Sequence, residues 1–181
     1  MNNTTLEEIV GEVSQRSYLD PKDIPCLDLY MDQIMTLFET FLSNHKRNED
    51  DKLITKTMIN NYSKEGILKS IKGKKYSKEH IIQMLIIYSL KNTITIQEIK
   101  NVLAPFHEDT KQIEPIYQQY LDTIKSLIED KSNDIINFIQ ESHYDCDDAE
   151  SLLSLLLIIS SLSTFYQNIA QKIIDNYYKE D

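Results

Sequence analysis

The chain has 181 residues, enough for one domain or two small ones with a real core. Only 3 Gly and 4 Pro stand against 41% apolar and 27% charged residues, which leaves little material for turn-rich sandwiches and barrels and points to an all-α fold. A formal net charge of -10 argues against uniform affinity for polyanions, and two distant cysteines, Cys26 and Cys146, form no disulfide framework and read as buried or half-buried thiols.

The N-terminal stretch MNNTTLEEIVGEVSQ is acidic and has no apolar core, so it is not read as a secretory leader and the expected compartment is the cytoplasm. A short amphipathic helix is predicted over 4–16, followed by breakers at Asp20-Pro21 and Pro25. From Asp28 to Ser43 the residues Leu29, Ile34, Leu37, Phe38, Phe41 and Leu42 recur at helical spacing. The segment NHKRNEDDK reads as an exposed loop. Thr55 is a good N-cap for the next helix, which reaches Gly66 at its C-terminal cap. Within it Ile54, Met58 and Tyr62 lie one turn apart and pack inward with Ile59, leaving Lys56, Thr57, Asn60, Asn61 and Lys64 on the solvent face.

After Gly66, ILKSIKGKKY carries four lysines, with Gly73 between Lys72 and Lys74, and suits a small lysine-rich β-ribbon with a tight turn. Ser77 caps a helix with Ile81, Ile82, Leu85, Ile86 and Leu90 inside, and Thr95-Ile-Gln-Glu98 is a capping box that opens a short helix ending before Pro105. Downstream, Ile113 to Ile128 forms one apolar stripe that repeats briefly over 134–140, and a last helix is predicted over 149–178. Its stretch Ser151 to Gln171 is uncharged over 21 residues. The strongly apolar part ends near Leu162, well short of the roughly twenty residues a membrane span needs, so it reads as a buried or dimerising helix with no membrane partner.

Charge is segregated along the chain. Residues 1–51 hold 4 basic and 11 acidic side chains and residues 105–181 hold 5 and 15, whereas residues 52–80 hold 8 and 2. This basic island is either a solvated face or a surface for phosphate; its overlap with a capped amphipathic helix favours the second. Asn pairs bidentately with adenine, and lysines reach guanine or phosphate. Asn61 keeps the alternative of a local bond to backbone.

The order helix, capped helix, lysine ribbon, helix, capping-box helix resembles the MerR-type DNA-binding domain. TKTMINNYSKEGIL resembles that family's recognition helix in closing on Tyr62, Lys64, Glu65, Gly66, Ile67 and Leu68. KKYSKEHI resembles the close of its wing at Tyr76 and Ser77, and TIQEIKNVL is similar to the entry into its next helix at Thr95, Glu98 and Ile99. Between Leu29 and Leu103 the pieces LYMDQ, TKTMINNYSK, KKYSKEHI and LIIYSLKNTITIQEI also resemble an uncharacterised bacterial family known only as a domain of unknown function, itself described as MerR-like. Asn60 and Asn61 stand where the MerR family usually offers Arg and Tyr. About nine residues, Asn44 to Lys52, replace a helix-turn-helix turn of roughly three or four.

The resemblance implies an N-terminal arm or short helix over 1–27, a winged helix-turn-helix over 28–104, and an acidic helical region over 105–181 for dimerisation or an effector. It implies a transcriptional regulator that binds double-stranded DNA through Lys56, Thr57, Asn60, Asn61, Lys64, Lys72, Lys74 and Lys75, as a homodimer. The alternative is a protein-interaction adaptor that keeps the fold without binding DNA. No enzyme is expected: P-loop, dinucleotide fingerprint and nucleophile elbow are missing from the sequence, and no catalytic residue or cofactor is assigned. The metal-like spacing of His143 and Cys146, followed by Asp147 and Asp148, reads as an acidic loop or helix cap, so no metal is assigned.

Overall fold

Short polar side chains set where the helices begin. Thr5, Thr55 and Thr95 each accept a hydrogen bond from the backbone N–H three residues on, at 3.2, 3.1 and 3.3 Å. At Thr5 and Thr95 the carboxylates of Glu8 and Glu98 return the bond to the cap's own N–H, at 2.8 and 2.7 Å. The computed structural model describes residues 4–71, 73–107 and 110–178. Its helices are α1 (Leu6–Ser14), α2 (Met31–Leu42), α3 (Lys56–Lys64), α4 (Lys78–Leu90), α5 (Ile96–Leu103), α6 (Ile113–Glu141) and α7 (Ala149–Tyr177). Two short strands, β1 (Leu29–Tyr30) and β2 (Lys75–Tyr76), form one antiparallel ladder with Leu29 opposite Tyr76 and Tyr30 opposite Lys75. The fold is therefore mostly helical, as the composition requires.

Two expectations need correction, the ribbon and the burial of the cysteines, and the two apolar stripes of 113–140 resolve into a single helix. The ribbon within ILKSIKGKKY does not form: residues 67–71 are not in a strand, and Lys75–Tyr76 pairs with the segment just before α2. The tight turn survives, since Gly73 and Lys74 both take left-handed backbone, at φ 64 and 62. Residues 67–71 are instead held by the buried Gln83 and the half-buried His107, with the Lys69 N–H donating to Gln83 Oε1 at 3.3 Å and His107 Nε2 lying 3.0 Å from the Ile67 carbonyl. The stripes at 113–128 and 134–140 belong to one helix. The polar stretch between them contains no Gly or Pro, and Lys131 bridges to Asp134 at 2.7 Å on the same face. Cys26 and Cys146 are exposed, because both fall in connecting segments and not on an apolar face.

The chain divides into two compact units. The larger comprises residues 17–121 with 170–178. Its core is built around α4, where Ile81, Ile82, Met84, Leu85 and Ile87 are all 2% exposed or less, with Ile34 and Phe38 of α2, Ile59 of α3 and Ile99 of α5 in the same cluster. Ile174, on the last turns of α7, also belongs to that core. The smaller unit comprises residues 4–16 with 122–169 and is thinly packed: α1 buries no residue, and Ile139 and Leu155 are its buried apolar side chains among the described residues. The 29-residue α7 is long and apolar enough to cross a membrane by length and composition alone, which the short LLSLLLII run does not suggest.

Candidate nucleic-acid interface

The geometry of α3 follows from its ends and its two faces. Thr55 caps the start, and Gly66 takes φ 67 at the other end. There the Gly66 N–H donates to the Ser63 carbonyl at 3.3 Å and the Ile67 N–H to the Tyr62 carbonyl at 2.8 Å, a Schellman closure whose left-handed residue glycine adopts without strain. Ile59 and Tyr62 are buried, Met58 is half-buried, and Ile54 just before the cap is buried. Burial pushes the Tyr62 phenol above its usual value. With that face committed to the core, Lys56, Thr57, Asn60, Asn61 and Lys64 are all exposed. The side chains of Asn60, Asn61 and Lys64 make no hydrogen bond or ion pair with other described residues, so the local bond considered for Asn61 is not formed.

Lys56 differs from its neighbours. Its ammonium is held by the Asp32 carboxylate of α2, so one of the cations expected to face a ligand already has a counter-charge. Both side chains are largely exposed, and such a pair contributes little to stability.

The second group of expected residues lies on the turn and on β2. Lys74 and Lys75 are exposed, while Lys72 lies outside the described residues. The Lys75 ammonium sits 5.1 Å above the ring of Tyr30, the exposed residue paired with it across the β1–β2 ladder. No ion pair or hydrogen bond joins α3's polar side chains to those of the turn among the described residues. Chain order alone could not point to Asp32 and Tyr30. Their partners are 24 and 45 residues away, and the pairing of β1 with β2 has no local signal.

Behind the turn, α4 supplies two buried polar side chains, His80 at 8% and Gln83 at 0% exposed. The Ser77 N–H donates to His80 Nδ1 at 3.1 Å, which makes Nδ1 the acceptor and leaves the proton of the neutral ring on Nε2. Among the described residues, the Nε2 atoms of His80 and Gln83 have no hydrogen-bond partner. Burial, the largest influence, pulls the His80 pKa below its usual 6.5. The ring is therefore a neutral strut and not a further cation of the basic island.

The family model described as Domain of unknown function (DUF1836) matches residues 19–123, more than half of the chain. The chain belongs to this family. The DUF1836 match contains α2 to α5, both strands and the start of α6, and it excludes α7. No curated protein and no solved structure matches the chain. Outside the DUF1836 segment, Asp145, Cys146 and Asp147 bring ligand atoms within 4.8 Å of one another in the exposed connection between α6 and α7. Two groups in this connection have structural work. Asp148 accepts the Ser151 N–H at 3.0 Å at the start of α7, and His143, at φ 55, closes α6, its N–H donating to the Gln140 carbonyl while the Tyr144 N–H donates to the Ile139 carbonyl.

Proposed function

We propose that residues 28–104 are a winged helix-turn-helix of MerR-like type that binds double-stranded DNA, as the reading module of a transcriptional regulator. The observation that carries this reading is the face of α3. Its apolar side chains are committed to the core, while Asn60, Asn61 and Lys64 stand in solvent, Asn60 and Lys64 one turn apart, within the one basic segment of an acidic chain. Lys74 and Lys75, beside Tyr30, add donors suited to phosphate. In this reading Asn60 and Asn61 contact base edges, Lys64 contacts base or phosphate, and the turn lysines hold register.

A second reading, an adaptor that keeps this fold without binding DNA, is favoured by two observations. Lys56 is already paired with Asp32, and the connection between α2 and α3 is much longer than the usual turn of roughly three or four residues. Electrophoretic mobility shifts with selected genomic fragments, at two salt concentrations, separate the readings. DNA binding through the island must weaken steeply with salt, and Asn60→Ala should cost about 1 to 3 kcal/mol on a selected site and little on scrambled DNA. A wild type with no salt-sensitive DNA affinity would sink the regulator in favour of the adaptor.

A further inference from the structure

In a short antiparallel ladder, side chains directly opposite one another share a face, and successive ones alternate between faces. The register sets Leu29 opposite Tyr76 and Tyr30 opposite Lys75. The first pair faces the core, since Tyr76 is 5% exposed and Leu29 packs against the same cluster. The second pair faces outward, where Tyr30 is 53% exposed and the Lys75 ammonium lies 5.1 Å from the centre of its ring. Resting on the DNA-binding reading above, we infer that Tyr30 is a positioning residue of that interface. Its ring holds the Lys75 ammonium in place to meet a phosphodiester of the DNA backbone, although Tyr30 lies outside both α3 and the basic segment.

Lys56, Lys91 and Lys75 show what a partner does to an ammonium. Asp32 offsets the charge of Lys56. Lys91 also lies over a ring, 4.8 Å from the centre of Tyr88, but it is half-buried and donates to the Leu53 carbonyl at 2.6 Å, so it is engaged inside the fold. Among the described residues, the Lys75 side chain has the Tyr30 ring and no carboxylate. An aromatic face attracts a cation without neutralising it, so the whole charge and the N–H donors of Lys75 stay available to an anion from solvent. A free lysine side chain gives up much rotamer freedom when it closes on a phosphate, and one already resting on a ring gives up less. A point charge held on an outward face suits the DNA backbone, which carries a charge at every step.

The placement is tested without DNA and its consequence with it, both on the full chain. By NMR of the free protein, the ring should shift the Lys75 ε-methylene protons upfield in the wild type and in Tyr30→Phe, and the shift should vanish in Tyr30→Leu. On selected genomic fragments, Tyr30→Leu should lower affinity about 2- to 5-fold for all sequences alike and leave the salt slope near that of the wild type, because the charge is still present. Tyr30→Phe keeps the ring and should bind as the wild type does. Lys75→Ala should make the slope shallower by about 0.9, and adding Tyr30→Leu to it should cost nothing further. A Tyr30→Leu protein of full affinity, a Tyr30→Phe protein as weak as Tyr30→Leu, or a Tyr30→Leu loss that persists undiminished in the Lys75→Ala background would overturn the role of Tyr30 while DNA binding stands. A wild type with no salt-sensitive DNA affinity removes the DNA reading and this role with it. If Tyr30→Leu does not fold, the wild type decides: Lys75 ε-methylene protons at the position of an unstructured lysine would overturn the placement.

Discussion

Helices α4 and α7 are both apolar around most of their circumference, yet they meet opposite fates. Seven of the thirteen residues of α4 are buried, including a histidine and a glutamine, whereas among the twenty-nine residues of α7 the buried ones are Leu155 and Ile174. A helix that is apolar all round needs cover all round. The chain supplies that cover to α4 from α2, α3, α5 and the start of α6, and supplies little to α7. The pattern reports that cover is required; it does not report whether the cover comes from the same chain.

The largest expected effect tests that contrast directly. Ile82→Ala removes a fully buried side chain from α4 and should cost about 2 to 5 kcal/mol, whereas Leu157→Ala on α7, measured where the protein is monomeric, should stay within about 0.5 kcal/mol. Urea unfolding midpoints check both, and equal losses would mean that α7 is packed as tightly as α4.

Acid should loosen the two regions in sequence. The fold keeps His80 neutral and lowers its pKa, so the unfolded chain binds that proton more readily. The stability it contributes is complete above pH 6.5 and is lost as pH falls from there through the depressed value. Asp148 at the start of α7 is lowered from 3.8, chiefly by the Ser151 N–H, so its contribution persists to lower pH and is lost only as pH falls below 3.8. Glu79 and Lys69 near the ring act in opposite directions, Glu79 favouring the imidazolium and Lys69 opposing it. Thermal unfolding between about pH 7.5 and about pH 5 should show a decline that His80→Leu flattens, and a flat wild-type profile would contradict the buried neutral ring.

The smallest effects compare two helix ends closed in the same way, one in each unit. Gly66→Ala places a Cβ on left-handed backbone after α3 and should destabilise by about 1 kcal/mol. His143 already holds that conformation as a non-glycine residue at the end of α6, so His143→Gly should stabilise by a few tenths to about 1 kcal/mol. Matched denaturation curves check the opposite signs.

The helices were legible because their signals are local. Thr55, Ser77 and Thr95 mark starts, Gly66 marks an end, and the inward set Ile54, Ile59 and Tyr62 is readable from spacing within two turns. The solvent face of α3 followed from the same spacing. What escaped depends on distant partners. Asp32 neutralises Lys56, Tyr30 lies under Lys75, and the strand opposite Tyr76 is Leu29, none of which is visible within a window of a dozen residues. The cysteines were misjudged for a related reason, since their usual preference for burial carries no information about a loop.

The β1–β2 pairing makes the lysine turn a non-local object. A hairpin closes over a few residues within microseconds, but joining residue 29 to residue 76 closes a loop of more than forty residues that contains α2 and α3. Its entropy cost is repaid only once those helices have packed, so the ladder belongs to the late, high-contact-order part of folding. An excised peptide spanning the lysines would carry their charge without the strand that orients Lys75 over Tyr30.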